Sequence, residues 1–397
     1  MRKKNLLYII TKLELGGAQK QLLALISGLD RNKYNIFLLT AKYGLLIPDA
    51  LAIENLKVRG SAFLDRPINP LKDILALIEI SRFIQKNKIN LVHTHSSKAG
   101  IIGRLAAKLA RVKTIIHTVH GWSFHDYQPR WLRWFYINLE RLVAKFTDKI
   151  IVVSNFDLQK GLDNHIGQDD KYVLIRYGID YVEFNEVDHF CHSEPRRPDR
   201  IFGGRGEESL RVREELGLAA NDLVVGMVAC FKPQKAPLDF IKLAYLVNKE
   251  MPGVKFILVG DGVLRAQVEQ LINNFGLQKE VILLGWRRDI PCILSALDVF
   301  ALTSLWEGLP ISVLEVIVLG KPVVATNTGG IAEIISDGQT GFLVLPKDMD
   351  TMAKKIIMLL KDESLRLSIA SKAKNYLDNS FSLVNMTGCT QNLYDSV

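Results

Sequence analysis

The sequence lacks long apolar runs and has few cysteines, and each shortage excludes a class of protein. No uninterrupted apolar stretch reaches the ~20 residues that a membrane-spanning helix needs. The start "MRKKNLLYIITKLELGG" imitates a signal peptide, but its apolar run is too short and no cleavage site follows. The four cysteines are scattered, without metal-ligand or redox spacing, which indicates a reducing compartment and no structural zinc. We therefore expect a cytoplasmic protein.

Low-complexity tracts are also absent. The 397 residues are 48% hydrophobic and 23% charged, which is typical of a soluble globular chain, and they are too many for one ordinary core. Two domains are therefore expected. The net charge of +9 favours acidic partners such as nucleotides, phosphates, nucleic acid or an anionic membrane face, and charge alone does not choose among them.

Short runs rich in Ile and Val alternate with longer stretches of helical period. Strands that read as solid apolar runs are buried on both faces, which predicts parallel sheets covered by helices. Strands are predicted at residues 6–10, 35–40, 90–95, 114–120, 149–154, 172–178, 223–230, 255–260, 281–285, 299–304 and 322–326. Helices are predicted at residues 18–29, 71–87, 99–111, 237–250, 264–276, 311–320 and 350–360.

The alternation occurs in both halves of the chain and predicts an α/β architecture of two Rossmann-like, doubly wound parallel-sheet domains facing a cleft. Between the halves, "CHSEPRRPDRIFGGRGEES" is rich in Pro, Gly and charge, which is typical of a linker or an irregular surface excursion. Ligands of open α/β sheets bind outside the carboxyl ends of strands, so site residues should follow strands directly. The predicted divisions are residues 1–184, 185–212, 213–375 and 376–397.

Small and polar residues follow two strands of the first half. Gly16 and Gly17 precede a helix, where their amides either meet a phosphate or simply form a turn. His95, Ser97 and Lys98 gather at a strand end and suit a hydroxylated or anionic ligand. The alternative for this second group is capping of the following helix by a serine.

His120 ends another apolar strand, where it either donates to a phosphate or sugar hydroxyl or is hydrogen-bonded within the fold. The helical segment after it mixes aromatic with basic side chains, which suits a membrane interface. An ordinary amphipathic helix packed on its sheet is the preferred alternative. No periodic array of basic and aromatic residues indicates nucleic-acid binding. The mixed residues are Arg130, Trp131, Arg133, Trp134, Phe135 and Lys145.

In the second half, Lys232 and Lys235 lie on either side of Pro233, just before a predicted helix. A lysine beside a helix start adds a full charge to the partial charge of the helix dipole. That combination suits a diphosphate, although surface lysines are common.

The stretch "SLWEGLPISVLE" carries two glutamates around a helix breaker. Proline is tolerated in the first turn of a helix, so we expect the helix to begin near Leu309, Pro310 or Ile311. Glu307 then lies in the loop at the strand end and Glu315 about one turn inside the helix, so each can meet a different part of one ligand. The helix start between them offers amides to an anion. The pattern predicts a nucleotide-sugar site.

This stretch resembles the Glu-x7-Glu signature of glycosyltransferase family 4, whose members are retaining enzymes of the GT-B fold. The region "LTSLWEGLPISVLEVIVLGKPVVATNTGGIAEIISDGQTGFLV" is similar to the family's core almost throughout. Further matches are "GGAQ", "VHTHSSKAG", "HGW", "FKPQKAP", "VGDG" and "GWRRDIP", in the right order along nearly the whole chain. The resemblance also implies C-terminal helices that return to the first domain.

The resemblance implies roles for the residues at matching positions. Glu315 matches the glutamate that binds the ribose hydroxyls of the nucleotide, a task for which a carboxylate suits a cis-diol. Glu307 matches the glutamate that contacts the transferred sugar and supports the charge developing at its anomeric carbon. Lys235 matches the lysine that holds the donor diphosphate.

Other positions are carried over in the same way. Gly16 and Gly17 match the loop that closes over the phosphates, and His120 matches a histidine near the donor phosphate and sugar. Backbone around the position of Arg287 reads the base. The chain departs from the family at Cys230, where an arginine commonly forms a second diphosphate clamp. Lys232 is the candidate substitute for that arginine.

The resemblance implies a metal-independent reaction with retention of configuration, and no cofactor. If Glu315 binds ribose it is not the nucleophile of a double displacement, which favours departure and attack on the same face of the sugar. The run Asp348-Met349-Asp350 resembles a metal-binding DxD. It opens an amphipathic helix, so we interpret Asp348 as an N-cap.

The favoured hypothesis is a sugar transferase with a nucleotide-diphosphate sugar, a UDP-sugar in particular, as donor. The expected acceptor is a glycan or lipid-linked precursor of bacterial surface polysaccharide, with peripheral contact to the anionic inner membrane face. The alternatives are a nucleotide-sugar epimerase of the same fold and a catalytically silent nucleotide-sugar-binding subunit. A nicotinamide dehydrogenase is the weakest alternative, because GxGxxG is missing after the first strand.

Overall fold

A computed structural model describes residues 3–181, 184 and 207–397. The chain divides into two compact units. Unit 1 comprises Met1–Gly178 and Asn379–Val397, and unit 2 comprises Ile179–Asp378. The predicted linker at 185–212 lies outside the described residues as far as position 206, and its remaining residues belong to a helix.

Within the described residues, thirteen strands form two parallel sheets, and parallel sheets are what the sequence predicts. The strands are β1 (Lys4–Ile9), β2 (Tyr34–Ala41), β3 (Leu56–Ser61), β4 (Leu91–His95), β5 (Thr114–Val119), β6 (Lys149–Val152), β7 (Tyr172–Leu174), β8 (Val224–Val228), β9 (Lys255–Val259), β10 (Val281–Gly285), β11 (Val299–Leu302), β12 (Val323–Thr326) and β13 (Phe342–Val344). The order is β3-β2-β1-β4-β5-β6-β7 in unit 1 and β10-β9-β8-β11-β12-β13 in unit 2.

Helices connect successive parallel strands, so each unit is doubly wound. The helices are α1 (Gly17–Gly28), α2 (Ile47–Ala52), α3 (Pro70–Lys86), α4 (Ser97–Leu109), α5 (Arg130–Ala144), α6 (Asn155–Asp163), α7 (Glu207–Glu215), α8 (Pro237–Glu250), α9 (Arg265–Phe275), α10 (Ile290–Ser295), α11 (Ile311–Val318), α12 (Met349–Lys361), α13 (Glu363–Tyr376) and α14 (Leu383–Ser396). Across the described ranges, no helix is both long enough and apolar enough to cross a bilayer.

The core of unit 1 lies on both faces of its sheet. On one face, Leu6, Leu38 and Ile116 pack against α1 and α14. On the other, Leu7 and Ile9 pack against α3 and α4. Neighbouring residues of a strand thus point to opposite layers, which explains why these strands read as continuous apolar runs.

The C-terminal helix α14 belongs to unit 1, as the sequence predicts. Its Tyr394 is fully buried and lies within hydrogen-bonding distance of Tyr8 (2.7 Å, hydroxyl to hydroxyl) and of His93 (2.5 Å, hydroxyl to Nδ1). A buried hydroxyl needs such partners, because an unpaired one would cost about 1–3 kcal/mol. The end of the chain is therefore fixed to strands β1 and β4.

Two of the observed strands are not predicted from the sequence, and both lie at sheet edges. Strand β3 has alternating half-exposed residues, and β13 is only three residues long. Edge strands need no continuous apolar run because one side of each lies outside the sheet. Among the described cysteines, Cys292 is disulfide-bonded, which departs from the pattern expected in a reducing compartment, whereas Cys389 is a free thiol.

The Asp348-Met349-Asp350 run is a helix start, as interpreted from the sequence. The Asp348 carboxylate accepts a hydrogen bond from the Thr351 amide at 3.0 Å and so caps α12. The pKa of Asp348 is lowered mainly by this backbone hydrogen bond, because the bond favours the charged form.

Candidate active site

Two loops of unit 2 lie side by side at the carboxyl ends of the adjacent strands β8 and β11. The Leu305 amide donates to the Gln234 carbonyl at 2.8 Å, and the Gln234 side chain donates to the Trp306 carbonyl at 2.9 Å. The Thr303 hydroxyl lies 3.1 Å from the Lys235 carbonyl, to which it donates. These bonds hold the two loops in register before any ligand arrives.

Lys235 and Glu307, one from each loop, form an ion pair. The Glu307 side chain is 6% exposed and the Lys235 side chain 18% exposed, so the pair is largely removed from water. Ala236, next to the lysine, has a left-handed backbone (φ 44°), a strained conformation for a residue with a side chain. Such strain persists only where the surroundings fix it, and it concentrates at functional sites.

A glycine pair after β12 supports the Glu307 loop from the other side. Gly329 has φ +60°, and a Cβ there would lie 2.1 Å from the Glu307 carbonyl oxygen, so only glycine fits. The Gly330 amide donates to the Gly308 carbonyl at 2.7 Å. No role for this pair is predicted from the sequence, although the Gly-Gly follows a predicted strand.

Helix α11 begins at Ile311 with Pro310 as its N-cap, as the sequence predicts. Leu309 and Ile311 are buried, and no side chain caps the helix start. Glu307 lies in the loop before the helix, and Glu315 lies inside it, buried at 9% exposure. Carboxylates are seldom buried in a helix this apolar, which is a reason to regard Glu315 as functional.

Lys232 and Arg287 are the other residues of unit 2 that the sequence predicts to bind the donor. Lys232 is the N-cap of the short turn Pro233–Lys235, and Cys230 precedes it on the same loop. The Arg287 guanidinium makes a two-pronged ion pair with Asp289, which raises the pKa of Arg287 and lowers that of Asp289. The guanidinium of Arg287 is thus engaged by Asp289, and contact of the Arg287 backbone with a base stays a prediction. The partner Asp289 was missed by the sequence analysis.

In unit 1, Gly16 is the N-cap of α1 and Gly17 its first residue. Gly16 has an ordinary extended backbone, and an added Cβ would meet only the flexible end of Gln19 at 2.6 Å. No side chain caps this helix start. The phosphate and turn interpretations of the two glycines therefore both stand, and phosphate contact stays a prediction.

His120 has both ring nitrogens engaged within unit 1. Its Nδ1 lies 2.6 Å from the Tyr177 hydroxyl and its Nε2 lies 2.8 Å from Nδ1 of His95. A ligand that takes a hydrogen bond from His120 must displace one of these partners. His95 is 2% exposed, so it supports His120 from inside the fold more than it faces an acceptor.

The serine-capping alternative for α4 is wrong. Its N-cap residue Ser96 has φ 62° and makes no cap hydrogen bond, because the hydroxyl lies 2.8 Å from Thr11 instead. Ser97 is the first helical residue and is half-buried. Lys98 forms an ion pair with Asp73 at 2.6 Å, so an acceptor would have to compete for that lysine.

Four histidines lie on or just after the neighbouring strands β4 and β5 of unit 1. Desolvation by burial lowers the pKa of His93 to about 3 and that of His120 to about 4. Burial also holds the pKa values of His95 and His117 well below 6.5, with neighbouring histidines adding to the effect at His95 and Arg104 and histidines adding to it at His117. All four rings are therefore neutral at pH 7. Three of them border a cavity of about 30 Å³, whose lining includes His93, His95, Thr118, His120, Tyr177 and Thr390.

The fold and the unit 2 site together define a class, the GT-B glycosyltransferases, and comparison with known proteins agrees. The model "Glycosyl transferases group 1" matches residues 209–376, and the model "Glycosyltransferase Family 4" matches residues 15–182. A UDP-Gal:alpha-D-GlcNAc-diphosphoundecaprenol alpha-1,3-galactosyltransferase of Escherichia coli is 34% identical over 83% of this chain and 81% of its own length. The chain therefore belongs to glycosyltransferase family 4.

Other relatives and solved structures are similar over most of the chain. An N,N'-diacetylbacillosaminyl-diphospho-undecaprenol alpha-1,3-N-acetylgalactosaminyltransferase of Campylobacter jejuni is 27% identical over 80% of both chains. The structure of Anabaena Alr3699/HepE in complex with UDP and glucose has a TM-score of 0.82 and 22% identity, covering 99% of this chain and 100% of that one. At this identity the structural match shows the fold alone.

The neutral histidines predict acid sensitivity. An unfolded histidine titrates near 6.5, so below that pH these histidines are protonated in the unfolded chain but stay neutral in the native protein. The free energy of unfolding should keep its full value above pH 6.5 and fall as the pH drops toward about 4. The fall should be about 1.4 kcal/mol per pH unit for each such histidine. Guanidinium unfolding at several pH values measures this slope.

Two variants separate these histidines from other titrating groups. His117→Gln should give a slope shallower by about one proton, since one buried ring no longer titrates on unfolding. The control His165→Asn changes an exposed residue and should keep the wild-type profile. Stability that is constant between pH 7 and 5 would contradict the assignment.

Proposed function

We propose that the protein transfers a sugar from a UDP-sugar to a lipid-linked or glycan acceptor, with retention and without a metal, in the synthesis of a bacterial surface polysaccharide. The observation that carries the proposal is the group formed by Lys235, Glu307 and the start of α11, with Glu315 one turn inside. It joins a cation, two buried carboxylates and an uncapped helix start at the carboxyl ends of two adjacent strands, β8 and β11. Those are the groups that a nucleoside diphosphate sugar requires.

Each part of the donor has a matching group. The diphosphate carries negative charge, which Lys235 and the positive end of α11 attract. The ribose has two neighbouring hydroxyls, which both oxygens of Glu315 accept. The transferred sugar becomes positively charged as its bond to phosphate lengthens, and Glu307 is the nearby anion that stabilises that charge.

The proposed reaction keeps the sugar's configuration. The bond between the anomeric carbon and the diphosphate oxygen breaks, and the acceptor oxygen bonds to that carbon on the same face. The leaving phosphate oxygen takes the acceptor's proton. With Glu315 committed to ribose, only Glu307 remains near the sugar, which favours this single step over a double displacement needing a carboxylate nucleophile and a second acid.

The relatives support the choice of donor and acceptor. The Escherichia coli relative is named for UDP-Gal and for an acceptor sugar on diphosphoundecaprenol. The Campylobacter jejuni relative is named for a diphospho-undecaprenol-linked acceptor, and the Anabaena structure contains UDP. By similarity we propose a UDP-sugar as donor and a sugar on a polyprenyl diphosphate as acceptor, reached at the inner face of the cytoplasmic membrane.

Glu307→Gln should abolish transfer while UDP still binds. A neutral amide cannot stabilise the developing positive charge, and it competes less than a carboxylate for Lys235, so UDP should bind at least as tightly as in the wild type. Transfer is measured as UDP released only when acceptor is present, and UDP binding by calorimetry. The control Glu250→Gln, at an exposed helix end, should retain full activity. Wild-type turnover by Glu307→Gln would refute the assigned role.

Glu315→Ala should weaken UDP binding by about 1–3 kcal/mol, because two ribose hydroxyls lose their charged acceptor. The matched comparison uses 2′-deoxy-UDP, which removes one of those hydroxyls from the ligand. The wild type should distinguish UDP from 2′-deoxy-UDP, and the variant should not. Equal preference for UDP in both proteins would show that Glu315 does not contact the ribose.

A further inference from the structure

Helix α5 exposes three of its four aromatic residues. Trp131 is 70% exposed, Trp134 66% and Phe135 42%, and Leu142 continues the same side of the helix. The opposite side of α5, which includes the buried Ile137 and the partly buried Tyr136, packs on the sheet. The helix is therefore amphipathic and packs on its sheet, as the preferred sequence interpretation has it, while a second apolar side stays exposed.

Helix α3 carries a second exposed apolar stripe, which the sequence analysis did not identify. Leu71 is 69% exposed, Ile74 55%, Leu75 37% and Ile78 39%, at spacings of three and four residues that place them on one side. Ile68, just before the helix, is 64% exposed. The buried residues of α3 lie on its other side and pack against the sheet.

The two stripes belong to one surface of unit 1. On β5, Ile115 packs with the core under α3 and α4, and Val119, on the same side of the strand, packs with the core under α5. Helix α4 contacts both neighbours, so the stripes lie two helix spacings apart, roughly 20 Å. Each helix follows a parallel strand, so both stripes begin near the carboxyl edge of the sheet.

The charges around these stripes favour an anionic partner. Glu140 is the one acidic residue of α5, and it is buried in an ion pair with Arg104 at 2.7 Å. The remaining charges of this helix are basic: Arg130, Arg141 and Arg133, of which Arg133 pairs with the exposed Asp126 before the helix at 3.0 Å. On α3, Asp73 is paired with Lys98, and the Glu79 carboxylate accepts from Ser61 at 2.5 Å.

We propose that this α3–α5 surface, formed by residues 68–78 and 130–142, docks on an anionic lipid bilayer. Indole rings suit the headgroup region, aliphatic side chains enter the acyl boundary, and arginines meet lipid phosphates. The inference rests on the proposed function, since a polyprenyl-linked acceptor resides in a membrane. Docking there would bring the carboxyl edge of the unit 1 sheet, where His95 and His120 lie, close to that acceptor.

Flotation with phosphatidylglycerol-phosphatidylcholine vesicles tests the surface on the whole protein. The wild type should bind, with affinity that falls in high salt and with neutral vesicles. Trp131→Ser with Trp134→Ser should lower the partition coefficient about tenfold or more, and so should Leu71→Ser with Ile74→Ser. The controls Val263→Ser and Leu345→Ser remove exposed apolar residues of unit 2 and should bind like the wild type.

The outcomes distinguish this inference from the proposed function. Surface variants should transfer sugar normally to a short, water-soluble diphosphate acceptor, and only transfer to vesicle-borne acceptor should fall. Unchanged vesicle binding in both double variants would contradict the proposal that the α3–α5 surface docks on a membrane. A wild-type dimer in lipid-free buffer that both variants break would also overturn it, because a second copy would then be the occupant. Absence of transfer to any acceptor by the wild type would refute the proposed function instead.

Discussion

The ion pair between Lys235 and Glu307 is the interaction on which the rest of the site depends. It joins two loops that the chain supplies from distant positions, and it is screened from water by its burial. Under the function we propose, the pair sets a requirement for the donor. A diphosphate would have to draw the lysine's charge toward itself, and the glutamate would then face the sugar with its own charge less compensated. The proposal therefore links binding of the leaving group to the readiness of the proposed catalytic anion.

Hydrogen bonds and close backbone packing hold the two loops of this ion pair in place. The Thr303 and Gln234 bonds fix the loops to each other, and Gly329 permits the Glu307 loop to lie against its neighbour. Such support matters because misplacement of a charged group by about 1 Å costs a large share of its catalytic effect. In unit 1 the equivalent support is a set of neutral rings, in which His95 and Tyr177 orient His120.

Much of the fold follows from the sequence because each central strand is apolar on both faces. The helix start at Pro310 and the split between Glu307 and Glu315 follow from local rules on proline. What could not be predicted is non-local. The bond between Ser96 and Thr11 replaces a local helix cap. Helix α5 has two apolar sides, and periodicity alone does not say which one packs on the sheet, so the outward position of Trp131 does not follow from the sequence.

We propose that Lys235 binds the diphosphate of a uridine nucleotide. The measurement is a calorimetric titration of UDP and of uridine into the wild type and into Lys235→Met. Wild-type protein should prefer UDP, and the variant should lose most of that preference while binding uridine as before. If Lys235→Met kept the full preference for UDP over uridine, the phosphates would bind elsewhere and the role proposed for Lys235 would be refuted.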